Sequence, residues 1–285
     1  MSDGSVHRTA RRLTAGGSLA LDEIVAEEVA VALVYNGISH AVMMTTPCDL
    51  EDFARGFSLT ERIVEQPSEI YGIEIQDGRA ETGGLGIEVH LRIAAQRMAG
   101  LRERLRSLAG RTGCGLCGVD SLAAAMRPVA SATITGTVSR LSIQRAMAAL
   151  PAEQHINRVN GAMHAAGWAR ADGTLIAVRE DVGRHNALDK LAGALVLSGD
   201  AMFGEAVRGG FVVVTSRCSY EMVQKAAALG AWAIAAVSAP TSLAIATAEQ
   251  AGIALAAFVR DDRLTVYAHA ERISDDRISD ERISP

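Results

Sequence analysis

Two cysteines three positions apart, Cys114 and Cys117, lie in the stretch AGRTGCGLCGVD among four glycines, with Arg111 just upstream. Thiols at this spacing can ligate a metal, close a redox disulfide or carry sulfur from one molecule to another. A structural zinc centre needs a second ligand pair, but Cys48 and Cys218 stand apart and no His-x-x-x-His completes the set. The zinc nucleobase deaminases combine an upstream His-x-Glu with Pro-Cys-x-x-Cys. Here no proline precedes Cys114, and Ala166 stands two residues after His164. A thioredoxin-like pair would sit between a strand and a helix within a βαβ pattern, whereas this one follows an arginine-rich helix and falls between two units. Gly113, Gly115 and Gly118 leave the sulfurs uncovered. Arg111 favours the thiolate, and a second thiol within reach can take part in transfer or resolve a persulfide as a disulfide. These residues suit sulfur handed between proteins, with no metal site expected.

A second group of chemistry-bearing residues recurs where strands give way to helices. REDVGRHN sets Glu180, Asp181, Arg184, His185 and Asn186 around Gly183; TSRCSYE sets Thr215, Ser216, Arg217 and Ser219 at a helix start. SAPTS adds Ser238, Pro240, Thr241 and Ser242. Ser, Thr and Asp at such places also serve as helix caps. Capping does not call for arginine, however, and Arg184 and Arg217 suit bidentate phosphate recognition, so a phosphorylated or nucleotide-bearing ligand is expected. His164, in NGAMHAAGW, is either a packed histidine or part of the same site.

The elements that must position these residues fall into two grammars. In residues 23–108, VALVYNGISHAVMM reads as a hairpin around Asn36-Gly37. TPCDLEDFARGFSLTERIV follows as an amphipathic helix, with Pro47 near its start and Asp49, Glu51 and Asp52 in its first turn. Strands then return around a turn at Asp77-Gly78, making a small α+β domain. From about Thr174 short apolar strands alternate with helices: TLIAVR, FVVVTS, AWAIAAVSA and IALAAFVR, closing with a hairpin at Asp261-Asp262. That alternation predicts an α/β domain over residues 126–270 with a mostly parallel or mixed sheet covered by helices. Residues 1–22 read as a flexible leader, 109–125 as a mobile cysteine loop, and 271–285, with its repeated ERISD-like pentamer, as a disordered tail.

Composition narrows the functional classes. The 285 residues are 49% hydrophobic and 4% aromatic, enough to bury a core without disulfide staples. A net charge of -5 gives no support to nucleic-acid binding, although Arg92, Arg97, Arg102, Arg104 and Arg106 crowd the approach to the cysteines. Those arginines are either a solvated helix face or an attraction for an anionic ligand or acidic partner. No apolar run follows Arg11-Arg12, because Asp22, Glu23, Glu27 and Glu28 intervene, and no segment reads as membrane-inserting. A cytoplasmic location is expected, and reducing conditions there leave thiols free for chemistry.

GRTGCGLCGVDSL, EDVGRHNALDK, SRCSYEMVQKA, SAPTSLA and FVRDDRLTVY, in that order, resemble the FdhD family of formate dehydrogenase accessory sulfurtransferases. The likeness runs from about Glu27 to about Arg272. The resemblance implies a homodimeric carrier with a cytidine-deaminase-like domain. It would accept sulfur from a cysteine desulfurase as a persulfide on Cys114, with Cys117 as its partner. It would pass that sulfur to the molybdenum bis(molybdopterin guanine dinucleotide) cofactor of formate dehydrogenase. The resemblance also implicates Phe258, Val259, Arg260, Asp261, Asp262 and Arg263 in cofactor binding, with free guanine nucleotide as a mimic. The alternative is a cofactor-binding chaperone for formate dehydrogenase whose cysteines are not catalytic.

Overall fold

The computed structural model describes residues 3–79, 85–108, 136–197 and 209–275. The chain opens with a two-stranded ribbon, β1 (Ser5–Thr14) and β2 (Gly17–Ala26), paired antiparallel from Ser5↔Ala26 to Thr14↔Gly17. Strands therefore stand where a flexible leader is expected over residues 1–22. The cue is the two-residue link Ala15-Gly16 before Gly17, whose φ of 135° few other residues adopt.

β3 (Val29–Tyr35) and β4 (Ile38–Thr45) form the hairpin expected at Asn36-Gly37, both turn residues having positive φ. α1 (Leu50–Thr60) follows, then β5 (Ile70–Arg79), β6 (Leu85–Ile93) and α2 (Ala95–Leu108). The sheet order is β4-β3-β6-β5, with β3 and β6 parallel. Asp77-Gly78 is not a turn: it continues β5, pairing with Ile87 and Gly86 of β6. One sheet face packs Val31, Leu33, Tyr35, Val89 and Leu91 against Leu50, Phe53 and Phe57 of α1. Each such fully buried side chain contributes about 1.5–3 kcal/mol.

The second sheet begins after β7 (Val138–Ser139), α3 (Arg140–Glu153) and the short α4 (Asn157–Asn160). It contains β8 (His164–Arg170), β9 (Leu175–Asp181), β10 (Gly210–Val214), β11 (Ala233–Ala236), β12 (Ala254–Arg260) and β13 (Arg263–Ala268). Their order is β13-β12-β11-β10-β8-β9. Only β10–β11 and β11–β12 are parallel, so the sheet is mixed. α5 (Arg184–Leu197), α6 (Tyr220–Ala228) and α7 (Ser242–Ala251) alternate with these strands as the sequence pattern requires.

Successive strand residues serve opposite faces. Val212 and Val214 meet Leu188, Leu191 and Met222 on the α5–α6 side. Phe211 and Val213 meet Ile143, Met147 and Leu150 of α3. β8 is the strand that the sequence pattern does not announce. HAAGWAR carries no β-branched residue, yet it lies between β9 and β10, and His164 is its first residue instead of preceding the first strand of the domain. At the far end, β14 (Ile273–Ser274) pairs with β7, so the expected disordered tail begins with an ordered strand.

α1 of the first unit packs along α5 of the second through two glycines. A Cβ on Gly56 would lie 1.7 Å from the Asp189 carbonyl oxygen, and one on Gly193 would lie 1.9 Å from that of Asp52. The helices touch backbone to backbone, which only glycine permits at these positions. This contact ties the small sheet to the loop ends of the large one.

Candidate functional site

The register gathers several loops at one end of the mixed sheet. His164 starts β8 directly opposite Asp181, the last residue of β9. Thr215, just past β10, donates its backbone N–H to Ala165 O (3.1 Å) and accepts from Ala165 N–H through Oγ1 (2.9 Å). Cys218 bridges to Pro240, bringing the β11–α7 loop alongside. Phe258 N–H reaches Ser238 O at 3.5 Å. Loops at the carboxyl ends of strands are where α/β sheets hold ligands.

The β9–α5 junction divides into a closed half and an open half. In the closed half, Lys190 Nζ lies 2.7 Å from Asp181 Oδ2, and both side chains are 0% exposed. Asp181 also accepts from the Thr45 hydroxyl, Thr46 N–H (3.0 Å), Gly183 N–H (2.7 Å) and Asn186 Nδ2 (3.0 Å). Lys190 donates to Thr46 O at 3.0 Å. Glu180 is spent in the same way, accepting from Ile156 and Asn157 N–H at 2.8 Å each. Four of the six polar residues in REDVGRHN, namely Arg179, which pairs with Asp52 at 2.7 Å, and Glu180, Asp181 and Asn186, therefore hold the fold together.

Arg184 and His185 form the open half. Among the described residues, Arg184 Nε is buried without a hydrogen-bond partner. His185 Nε2 lies 3.4 Å from Ser219 Oγ and 3.8 Å from Glu221 Oε2. Burial, reinforced by the Arg184 charge, lowers His185 to about 4, and the same two causes in the same order lower His164. Both imidazoles are consequently neutral near pH 7. Burial alone would raise the Glu221 carboxyl. Its own backbone N–H, the Ser219 hydroxyl, His185 and Arg184 outweigh that effect and hold it low. The open half thus presents a cation and two neutral imidazoles at the start of α5, a setting that receives anions.

Other expected contacts separate from this group. Ser216 is buried and its hydroxyl donates to Arg217 O (2.9 Å), so it faces inward, while Arg217 is exposed. Thr241 is the N-cap of α7, accepting from Ala244 N–H at 3.2 Å, and so fulfils the capping reading of SAPTS. Val259 is 2% exposed and belongs to the core, so its side chain is closed to a ligand. Phe258, Arg260, Asp261, Asp262 and Arg263 are exposed at the tip of the β12–β13 hairpin. Phe258 and Asp261 have positive φ there, beside a bulge. Four strand spacings separate β9 from β12 in the sheet order, about 19 Å at ~4.8 Å each. Arg184, His185, His164 and Ser219 therefore come together, and the Phe258–Arg263 tip is a second, separate group along the same sheet end.

Glu221 was not singled out by its sequence setting, although an acid in the first turn of a helix beside Ser219 was the available signal. Cys114 and Cys117 lie outside the described residues. Of the described cysteines, Cys48 is half-buried with Lys190 Nζ 3.9 Å from its sulfur, and burial raises its thiol. Cys218 is fully buried, and burial pushes its thiol up to about 12. Both are therefore held as poor nucleophiles. Among the described residues no helix is long and apolar enough to cross a membrane.

The chain is 56% identical over 255 residues to the sulfur carrier protein FdhD of Cupriavidus necator, covering 90% of this chain and 85% of that relative. It is 48% identical over 257 residues to the protein of the same name in Bordetella petrii, covering 90% and 89% of the two chains. The fold matches a crystal structure from Desulfotalea psychrophila, described as a formate dehydrogenase accessory protein, with a TM-score of 0.68. That match has 23% identity and covers 95% of this chain and 99% of the other. The model of the FdhD/NarQ family matches residues 26–274, which takes in both sheets and the site between their loops, and the chain belongs to that family.

Proposed function

We propose that this chain is a sulfur carrier serving formate dehydrogenase, with sulfur borne on Cys114 and the guanine dinucleotide of the molybdenum cofactor held along the end of the mixed sheet. The observation that carries the reading is the unpartnered Arg184 Nε beside His185 and His164, an anion-receiving cluster on a chain whose relatives are named sulfur carriers. The burial of Cys48 and Cys218 supports it by elimination, since nucleophilic sulfur chemistry then falls to Cys114 and Cys117.

In this reading the Cys114 thiolate attacks the outer sulfur of a cysteine desulfurase persulfide and releases the desulfurase thiolate. Attack of Cys117 on the Cys114 sulfur then closes a disulfide and frees the outer sulfur as hydrosulfide toward the molybdenum. The two thiols supply the two electrons, and cellular thiols reopen the disulfide. The cofactor is cargo, long enough for one part to meet Arg184 and another the Phe258–Arg263 tip. The carrier acts as a homodimer in the cytoplasm, and as a sulfurtransferase it turns over once per delivered sulfur.

Intact-protein mass spectrometry after incubation with a cysteine desulfurase and cysteine tests this. The wild-type chain gains one sulfur that reductant removes, and Cys114→Ala gains none. A wild-type protein that gains none beside an active desulfurase overturns the carrier reading in favour of a cofactor-binding chaperone.

A further inference from the structure

The repeated tail meets the fold at β14. Ile273 stands opposite Val138 and Ser274 opposite Ser139 of β7, the two strands running parallel. The Ile273 side chain packs on the core that Val138, Ile143 and Met147 share. One residue further along each strand, Arg140 Nε lies 3.2 Å from Asp275 Oδ1. The docked unit thus has three working parts: an apolar side chain for the core, a backbone for the ladder and a carboxylate for Arg140. What it fastens matters to the rest of the chain. β7 is entered through Gly136, where a Cβ would lie 2.2 Å from the Trp232 ring, and Ser139 passes straight into α3 as its N-cap. This strand is the first described element after the segment that carries Cys114 and Cys117.

The same unit is written three times, as Arg272-Ile273-Ser274-Asp275, Arg277-Ile278-Ser279-Asp280 and Arg282-Ile283-Ser284-Pro285. The family match takes in Ile273 and Ser274 and stops at residue 274, before the other two copies. The second copy keeps every group that the first uses at β7, whereas the third has Pro285 in place of the acid. Repetition of a docked strand at a constant period gives a tail more than one register for the same site.

We propose that β7 and Arg140 form a docking site for this unit, and that Arg277–Asp280 exchanges there with Arg272–Asp275 through a slip of one repeat. Either copy supplies the same ladder, the same isoleucine and the same carboxylate, so these contacts do not discriminate between them. Shorter slips fail, because a shift by one residue sets Arg272 or Ser274 opposite Val138 and turns Ile273 away from the core. The connection from Ala268 at the end of β13 contains four residues before Ile273 and nine before Ile278. Loop-closure cost grows only with the logarithm of length, so the longer connection lowers the second register by about threefold. The first copy is therefore the main occupant and the second a ready substitute. β7, and with it the return of the cysteine segment, stays fastened when the first copy is damaged or pulled away. None of these residues belongs to the site of the proposed sulfur carrier, so the two readings stand or fall separately.

Zero-length carbodiimide coupling tests this on the full chain carrying Arg140→Lys, which keeps the charge and supplies an amine that can be joined to a neighbouring carboxylate. Peptide mass spectrometry then reads which acid position 140 has joined. The expected products are mainly that of Asp275, with that of Asp280 as a minority. Adding Ile273→Asn should shift the ratio toward Asp280 by at least about tenfold, since the first copy loses its apolar anchor. Adding Ile278→Asn instead should remove the Asp280 product and leave that of Asp275. An Asp280 product that survives Ile278→Asn, or that gains nothing on Asp275 in Ile273→Asn, reflects mere nearness of the tail and overturns the exchange. Its absence from both the parent and Ile273→Asn overturns the exchange as well. In mixtures of light and heavy-isotope chains, an Asp280 product found only between two molecules replaces the slip by docking on a second copy. The parent and Ile278→Asn decide the matter by themselves should Ile273→Asn not fold.

Discussion

The Lys190–Asp181 pair and the Arg184–His185 pair occupy the same junction and the first two turns of the same helix, yet they are built on opposite principles. Asp181 is fully buried and receives hydrogen bonds from Thr46, Gly183 and Asn186 besides its ion pair. Arg184 keeps a buried donor unmatched, and His185 is partly open. A buried charge is tolerable when every lone pair is answered, and it then fixes one geometry. An unanswered buried donor costs stability in the free chain. The first pair therefore joins the two sheets, and the second leaves a donor unmatched.

That contrast can be broken most forcefully from the closed side. Asp181→Ala leaves Lys190 buried without its counter-charge and should lower stability by about 3–5 kcal/mol, read as a shift of the urea midpoint. Pairing Asp181→Asn with Lys190→Met should cost less than the sum of the two single changes. Additive costs would mean that the pair is not a unit.

Gly193→Ala strikes the same inter-sheet contact without touching a charge. Its Cβ would overlap the Asp52 carbonyl, so a loss of about 1–3 kcal/mol is expected in the same assay. A neutral result would show that α1 and α5 can part without consequence.

On the open side Arg184→Gln should change stability by no more than about 0.5 kcal/mol, because its buried Nε has no hydrogen bond to lose and the attraction of its charge to Glu221 is offset by its push on His185 and His164. The smallest effect is a slope. His185 has a folded value near 4, below the 6.5 of the ordinary imidazole, so the unfolded chain binds more protons across that window. Stability should fall as pH drops from about 6.5 toward about 4, and His185→Gln should flatten its share of that decline in urea titrations at successive pH values. An unchanged slope would remove His185 from the account.

Much of the scaffold was legible because local chemistry and tertiary demand agreed. Asn36-Gly37 required the left-handed turn it occupies, and the alternating runs from Thr174 onward became the strands and helices they resembled. β8 was hidden because an Ala- and Gly-rich strand owes its state to neighbours on both sides, Gly167 being packed by Leu175, Val213 and Leu150. Asp77-Gly78 misled because a turn dipeptide carries no information about the partner strand that keeps it extended. The ribbon at the amino end was overlooked because its strands bury little, and a charged sequence resembles a leader when its cross-strand pairs, such as Arg12 with Glu23 at 2.8 Å, cannot be foreseen.

Residue types and their order were enough to show which groups could do chemistry: the paired thiols and the arginines at helix starts. They also determined the family, through ordered motifs spread over most of the chain. Tertiary structure decided which polar residues were spent and which were left over. Glu180, Asp181, Arg184, His185 and Asn186 are chemically equivalent candidates when read in a row. Only the approach of Met44, Thr45 and Thr46 from the first sheet, Lys190 from the next turn of α5, and Ile156 and Asn157 at the start of α4 satisfies three of them and leaves two. Whether a polar group is structural or available depends on the partners that distant parts of the chain bring to it, and those partners exist only once the fold has formed.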